Sequence, residues 1–135
     1  MQCDLLLYGG KVVAETGTLP RGYVAIDGGR IISIGESWQG IEAKKYLDVS
    51  SYLVVPGFID MHTHGICDVD FVEGDFEKIA QGMRHYLNFG VTRVVASTIS
   101  RPLADTVEQI KLLRRVREES DYGVMLPGVQ LEGPW

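Results

Sequence analysis

The sequence predicts an α/β protein in two parts, a small β region over residues 1–55 and an alternating strand-helix segment over residues 56–135. Turn-separated β-branched runs at the start carry the first part. Two stretches with apolar residues at three- and four-residue steps, and a nearly unbroken β-branched run between them, carry the second. Strand, helix, strand, helix, strand in that order is the pattern of parallel sheets with right-handed crossovers, found in doubly wound sheets and in (β/α)8 barrels alike.

In the first part DLLLY and KVVA flank Gly9-Gly10, and YVAI and RIISI flank Asp27-Gly28-Gly29. Glycine supplies the positive φ of tight turns, so both junctions predict hairpins. Gly28-Gly29 has no helix after it and is a turn rather than a phosphate cradle. After Pro56 the texture changes, and FIDMH is a strand candidate. Asp75 is placed to cap a helix whose apolar residues are Phe76, Ile79, Ala80, Met83, Tyr86 and Leu87, with Gly90 placed to end it. VTRVVASTI, residues 91–99, is rich in β-branched residues, as a strand covered on both faces would be. Ser100 and Pro102 announce a second helix with Leu103, Val107, Ile110 and Leu113 on one stripe and a polar exit at Glu118–Asp121. A third strand is expected at about residues 128–132.

Composition narrows the function classes. The chain has 135 residues, 45% of them hydrophobic, enough for a packed core. Its formal charge is −5 and no Lys/Arg cluster is present, which argues against a nucleic-acid partner. MQCDLLLYGG lacks the basic start of a secretory signal, and no run approaches the roughly 20 apolar residues of a membrane span, so a cytoplasmic protein without a membrane partner is expected. Cys3 and Cys67 lack metal-motif spacing and are expected to be thiols.

The chemistry concentrates in VVPGFIDMHTHG, residues 54–65, and LEGPW, residues 131–135. Side chains alternate along a strand, so Asp60, His62 and His64 are expected to leave one face at its carboxyl end, where parallel α/β folds build their sites. Two neutral imidazoles on a stiff strand can grip one transition metal. The bland alternative, surface or core histidines without a ligand role, is weighed down by both residues following a buried strand at the functional end. Asp60 stands either to orient a ligating imidazole or to satisfy backbone groups at the strand end. Glu132, before Gly133-Pro134, is a weak signal alone and gains value by matching His62 and His64 from another strand. His85, between Arg84 and Tyr86 on the first helix, is expected at an exposed or flank position.

Together the small β region, PGFIDMHTHG and LEGPW resemble the amidohydrolase superfamily and, within it, the N-acetylglucosamine-6-phosphate deacetylases. The His-x-His stretch is shared with dihydroorotases and nucleobase deaminases, whereas LEGPW is closer to the deacetylases. The resemblance implies that the chain is an N-terminal piece: an incomplete β-sandwich over 1–55, and the first three strands and two helices of a (β/α)8 barrel over 56–135. It implies one or two divalent cations, zinc, iron, manganese or cobalt, held by His62, His64 and Glu132, with Asp60 as a possible supporting group. It further implies hydrolysis of N-acetylglucosamine-6-phosphate to glucosamine-6-phosphate and acetate, with the catalytic aspartate and further histidines on later strands. An amino-sugar phosphate would be the small-molecule partner, and the full-length protein is expected to be a homodimer. The isolated chain is expected to lack competence and to expose strand edges. The readings in competition are a hydrolase of cyclic amides, a nucleobase deaminase, and a non-catalytic fragment that assembles through those edges.

Overall fold

β1 (Gln2–Tyr8) and β2 (Lys11–Ala14) follow one another across Gly9-Gly10, yet they enter different sheets. The hairpin expected there does not form, because the glycine pair bonds elsewhere: Gly9 N–H donates to the Gly22 carbonyl (2.9 Å), and Gly22 N–H donates back to that of Gly10 (2.8 Å). A Cβ at Gly10 would collide with the Val49 carbonyl, so these glycines serve close backbone approach. β2 instead turns back into β3 (Gly17–Leu19), and β1 pairs antiparallel with β4 (Tyr23–Asp27). The expected hairpin between β4 and β5 (Arg30–Gly35) is present, with Gly28 and Gly29 at φ 54° and 73°. Positive φ at both central residues is the loop geometry whose twist matches the flanking strands. β6 (Glu42–Asp48) adds parallel to β1 and β7 (Leu53–Val54) parallel to β2. The sheets are therefore β5-β4-β1-β6 and β3-β2-β7. Buried Cys3, Leu6, Tyr23 and Ala25, with Tyr8 and Trp38 against them, form the core of this unit, Met1–Pro56.

The structure, a computed structural model, describes residues 1–133. Its second unit, from Gly57 on, begins with β8 (Phe58–Thr63) and a short hairpin of β9 (Gly65–Ile66) and β10 (Val69–Asp70). Helix α1 (Phe76–Leu87), β11 (Val91–Ser97), helix α2 (Leu103–Glu119), a single 3-10 turn at Gly123–Met125 and β12 (Gly128–Gln130) follow. β8 and β12 both pair parallel to β11, in the order β12-β11-β8. This is the α/β order the sequence predicts. The third strand is shorter than expected, and Pro134 and Trp135 of LEGPW lie outside the described residues.

Each helix starts and packs for identifiable reasons. The Asp75 carboxylate accepts the Lys78 N–H at 2.9 Å and caps α1. Beyond Leu87, Gly90 takes φ 74° and its carbonyl accepts the Phe58 N–H, turning the chain into β11. α1 buries Ile79, Met83 and Tyr86 against Phe71, Val94 and Ala96. α2 departs from the stripe read in its sequence. It buries Thr106, Gln109, Leu113 and Val116, whereas Leu103 and Val107 are exposed. Each of the polar pair makes a bond inside, Thr106 Oγ1 donating to the Pro102 carbonyl at 3.4 Å and Gln109 Nε2 to the Phe71 carbonyl at 3.3 Å, while the Gln109 side-chain oxygen has no hydrogen-bond partner among the described residues.

Replacing Asp75 by Ala strips the first turn of α1 of its side-chain acceptor. The expected loss is about 1 kcal/mol, seen as a lower urea midpoint at unchanged slope.

Candidate metal centre

Parallel pairing aligns the carboxyl ends of the strands, with Thr63 opposite Ala96 and Gln130 opposite Ser97. His62 lies at the end of β8, His64 just after it, and Glu132 two residues past β12. Strict alternation does not run from Asp60 through to the two imidazoles. Between Asp60 and Thr63 the register on β11 advances only from Val94 to Ala96, so β8 carries a bulge at this point. Bulges re-aim side chains and are common beside functional sites. The Asp60 carboxylate accepts the His62 backbone N–H at 3.1 Å across it.

Past the bulge, Thr63 Oγ1 donates to the Gly65 carbonyl (2.9 Å), and the Tyr86 hydroxyl lies 3.0 Å from the same Oγ1. With the threonine proton already committed, the phenol is the donor. Burial pushes the Tyr86 phenol above its ordinary value, so it keeps its proton. The Phe71 N–H donates to the His64 carbonyl at 2.8 Å, tying the turn to the core. A Cβ on Gly65, which has φ 149°, would strike the Val69 carbonyl. On the facing strand, Thr98 N–H donates to the Gln130 carbonyl (2.9 Å), and Glu132 N–H donates to Thr98 Oγ1 (3.1 Å). These two bonds carry the ladder past β12 and aim Glu132 at β8.

The three side chains converge. Glu132 Oε1 is 3.1 Å from His62 Nε2 and 3.7 Å from His64 Nε2, and the ligand atoms of the trio lie within 4.8 Å of one another. Donors bound at about 2.0–2.1 Å to one tetrahedral cation stand about 3.3 Å apart, so the two observed separations bracket that value. The imidazole planes cross at 89° with centroids 5.2 Å apart. Two neutral nitrogens and one carboxylate suit a divalent ion of the zinc, iron, manganese or cobalt kind. Side-chain exposures of 51%, 40% and 34% for His62, His64 and Glu132 leave the rim open to solvent.

Asp60, the supporting group considered from the sequence, touches backbone. The residue on the His62 ring is Gln130, whose Oε1 lies 3.0 Å from Nδ1. Sequence reasoning passed over Gln130, although its spacing of two from Glu132 on a strand places both on one face. His85 is half-buried on α1 and stands outside the cluster. Cys67 is an exposed free thiol, also outside it, and Cys3 is a buried one. Among the described residues, no helix is long and apolar enough to cross a membrane.

In sequence and in fold the chain is related to the amidohydrolase superfamily, whose members similar to it are hydrolases of carbon–nitrogen bonds. No family model matches it. It is 34% identical over 125 residues to a dihydroorotase of Geobacillus sp. (strain WCH70), covering 91% of this chain and 28% of that protein. It is 27% identical over 112 residues to an N-acetylglucosamine-6-phosphate deacetylase of Vibrio furnissii, with 83% and 28% covered. A structure of N-acetyl-D-glucosamine-6-phosphate deacetylase from Mycobacterium smegmatis, in complex with N-acetyl-D-glucosamine-6-phosphate, matches with TM-score 0.81 and 29% identity over 98% of this chain and 33% of that one. An N-acyl-D-glutamate deacylase from Bordetella bronchiseptica, complexed with zinc, matches with TM-score 0.51 and 33% identity over 71% of this chain and 19% of that one. The chain thus spans about a third or less of the relatives it matches.

Replacing buried Thr98 by Val keeps its shape and removes the acceptor of the Glu132 N–H. A cost of about 1–3 kcal/mol is expected for that orphaned group, with Thr98→Ser restoring most of it, as thermal melts of the two variants would register.

Proposed function

We propose that this chain carries the first metal ligands of an amidohydrolase active site and forms the opening strands and helices of a longer (β/α)8 barrel. On this reading residues 56–135 begin the barrel and residues 1–55 are part of a β-sandwich. The convergence of His62, His64 and Glu132 at the carboxyl ends of parallel strands is the observation that carries the proposal. Barrel active sites sit at that end. The apolar surface of β8, with Phe58, Ile59 and Met61 all exposed, supports further covering elements in the whole protein.

The proposed reaction is deacetylation of N-acetylglucosamine-6-phosphate to glucosamine-6-phosphate and acetate. Its support is the likeness to deacetylases across nearly the whole chain. A divalent cation supplies Lewis acidity to a substrate carbonyl and lowers the pKa of water toward 7. His62 and His64 contribute neutral nitrogen donors, and Glu132 contributes the negative charge that offsets part of the cation's. The open rim admits substrate and water to these three groups. The aspartate that moves the proton to the departing amine, and the groups that hold the sugar phosphate, are assigned to later strands.

A second reading, hydrolysis of a cyclic amide, is favoured by the 34% identity to a dihydroorotase. A substrate panel separates them. The full-length protein is expected to release acetate from the sugar phosphate and to leave dihydroorotate intact; ring opening of dihydroorotate without acetate release reverses the assignment. Independently, Glu132→Gln is expected to lose at least part of the bound metal, measured by elemental analysis. Unchanged content in that variant would exclude Glu132 as a ligand.

A further inference from the structure

We propose that Gln130 is a positioning residue: its side-chain oxygen fixes the His62 imidazole in the Nδ1–H tautomer and so presents Nε2 to the cation. The proposal rests on the reading of His62 as a metal ligand. Its own basis is separate, in the hydrogen bonds around Gln130.

An imidazole can ligate only through a nitrogen that carries no proton, and its other nitrogen then has a proton to donate. Ligating histidines ordinarily give that proton to a carboxylate, a backbone carbonyl or water. Here Gln130 Oε1 occupies the acceptor place, 3.0 Å from His62 Nδ1, while Nε2 faces Glu132 Oε1 at 3.1 Å. A carboxamide has two ends, and the opposite orientation would offer N–H to Nδ1 and select the wrong tautomer. Two features place the carboxamide beside the ring. Ser97, fully buried on β11, donates its hydroxyl to the same Oε1 at 3.4 Å. The Gln130 backbone is pinned by the Thr98 N–H on its carbonyl and by the β11 ladder. Asp60, the nearer acid in sequence, is engaged by the His62 backbone and leaves the ring to Gln130.

The chain of command runs Ser97, Gln130, His62, so the orientation of one ligand on β8 is set from β11 and β12. A glutamate at 130 would retain an acceptor; an alanine would remove it and leave both tautomers open to His62.

Long-range ¹H–¹⁵N spectra of the zinc-loaded protein, where the cation separates Nε2 from the Glu132 carboxylate, read directly which imidazole nitrogen carries the proton. Zinc titration reads the consequence. The native protein is expected to show His62 as Nδ1–H. Gln130→Ala is expected to show a mixture and to bind zinc about 10- to 100-fold more weakly. Gln130→Glu is expected to restore both. An unchanged tautomer and zinc affinity in Gln130→Ala, with His62→Ala still weakening zinc, overturns the proposal while sparing the metal reading. Zinc affinity unchanged in His62→Ala as well defeats the metal reading itself, and the role of Gln130 toward a cation falls with it.

Discussion

Parallel backbone pairing of β11 with β8 on one side and β12 on the other is the constraint on which the candidate site depends. Antiparallel partners would send consecutive strand ends to opposite edges of the sheet. Parallel partners bring all their carboxyl ends to one rim, and the helical crossovers that this requires are α1 and α2. Residues far apart in sequence, His62 and Glu132, can then share a contact at 3.1 Å without any long loop to hold them. The β8 bulge between Asp60 and Thr63 adds a local correction, breaking the regular pleat just before the two imidazoles.

Much of this was legible in the residues. Asp75 before an apolar helical stripe, Gly28-Gly29 between two β-branched runs, and the alternation of strand and helix each act through local chemistry, and local chemistry is what a sequence displays. The Gly9-Gly10 junction was misleading because glycine signals both tight reversal and close approach, and the partner that decides, Gly22, lies on another segment. The buried face of α2 was hidden for a similar reason. The Thr106 hydroxyl and the Gln109 amide nitrogen find their acceptors in the Pro102 and Phe71 carbonyls, which the sequence does not display. His62, His64 and Glu132 could be picked out by residue type and strand-end position. The choice of Gln130 over Asp60 as the group on the His62 ring could not, since it turns on the bulge and on Ser97.

The second unit shows apolar surface that its own elements leave open. Phe58, Ile59 and Met61 on β8 are 60%, 59% and 65% exposed, and among the described residues β8 has a strand on one edge only. Leu103 and Val107 on α2 add to it. A parallel strand with apolar side chains on both faces belongs to sheets covered on both faces. This surface fits a chain that spans about a third or less of the proteins it resembles.

Phe71 joins the rim to the interior through both of its backbone groups. Its N–H is given to the His64 carbonyl, its C=O is taken up by the Gln109 amide of α2, and its ring is wholly buried and stacked on Tyr86. A loop moored only at the surface would fray by itself, on the low-energy end of local opening. Here the backbone of His64 cannot be released without giving up a hydrogen bond to a residue of the packed centre. The same residue makes the Phe71 amide a natural reporter, slow to exchange with solvent for as long as the rim is intact.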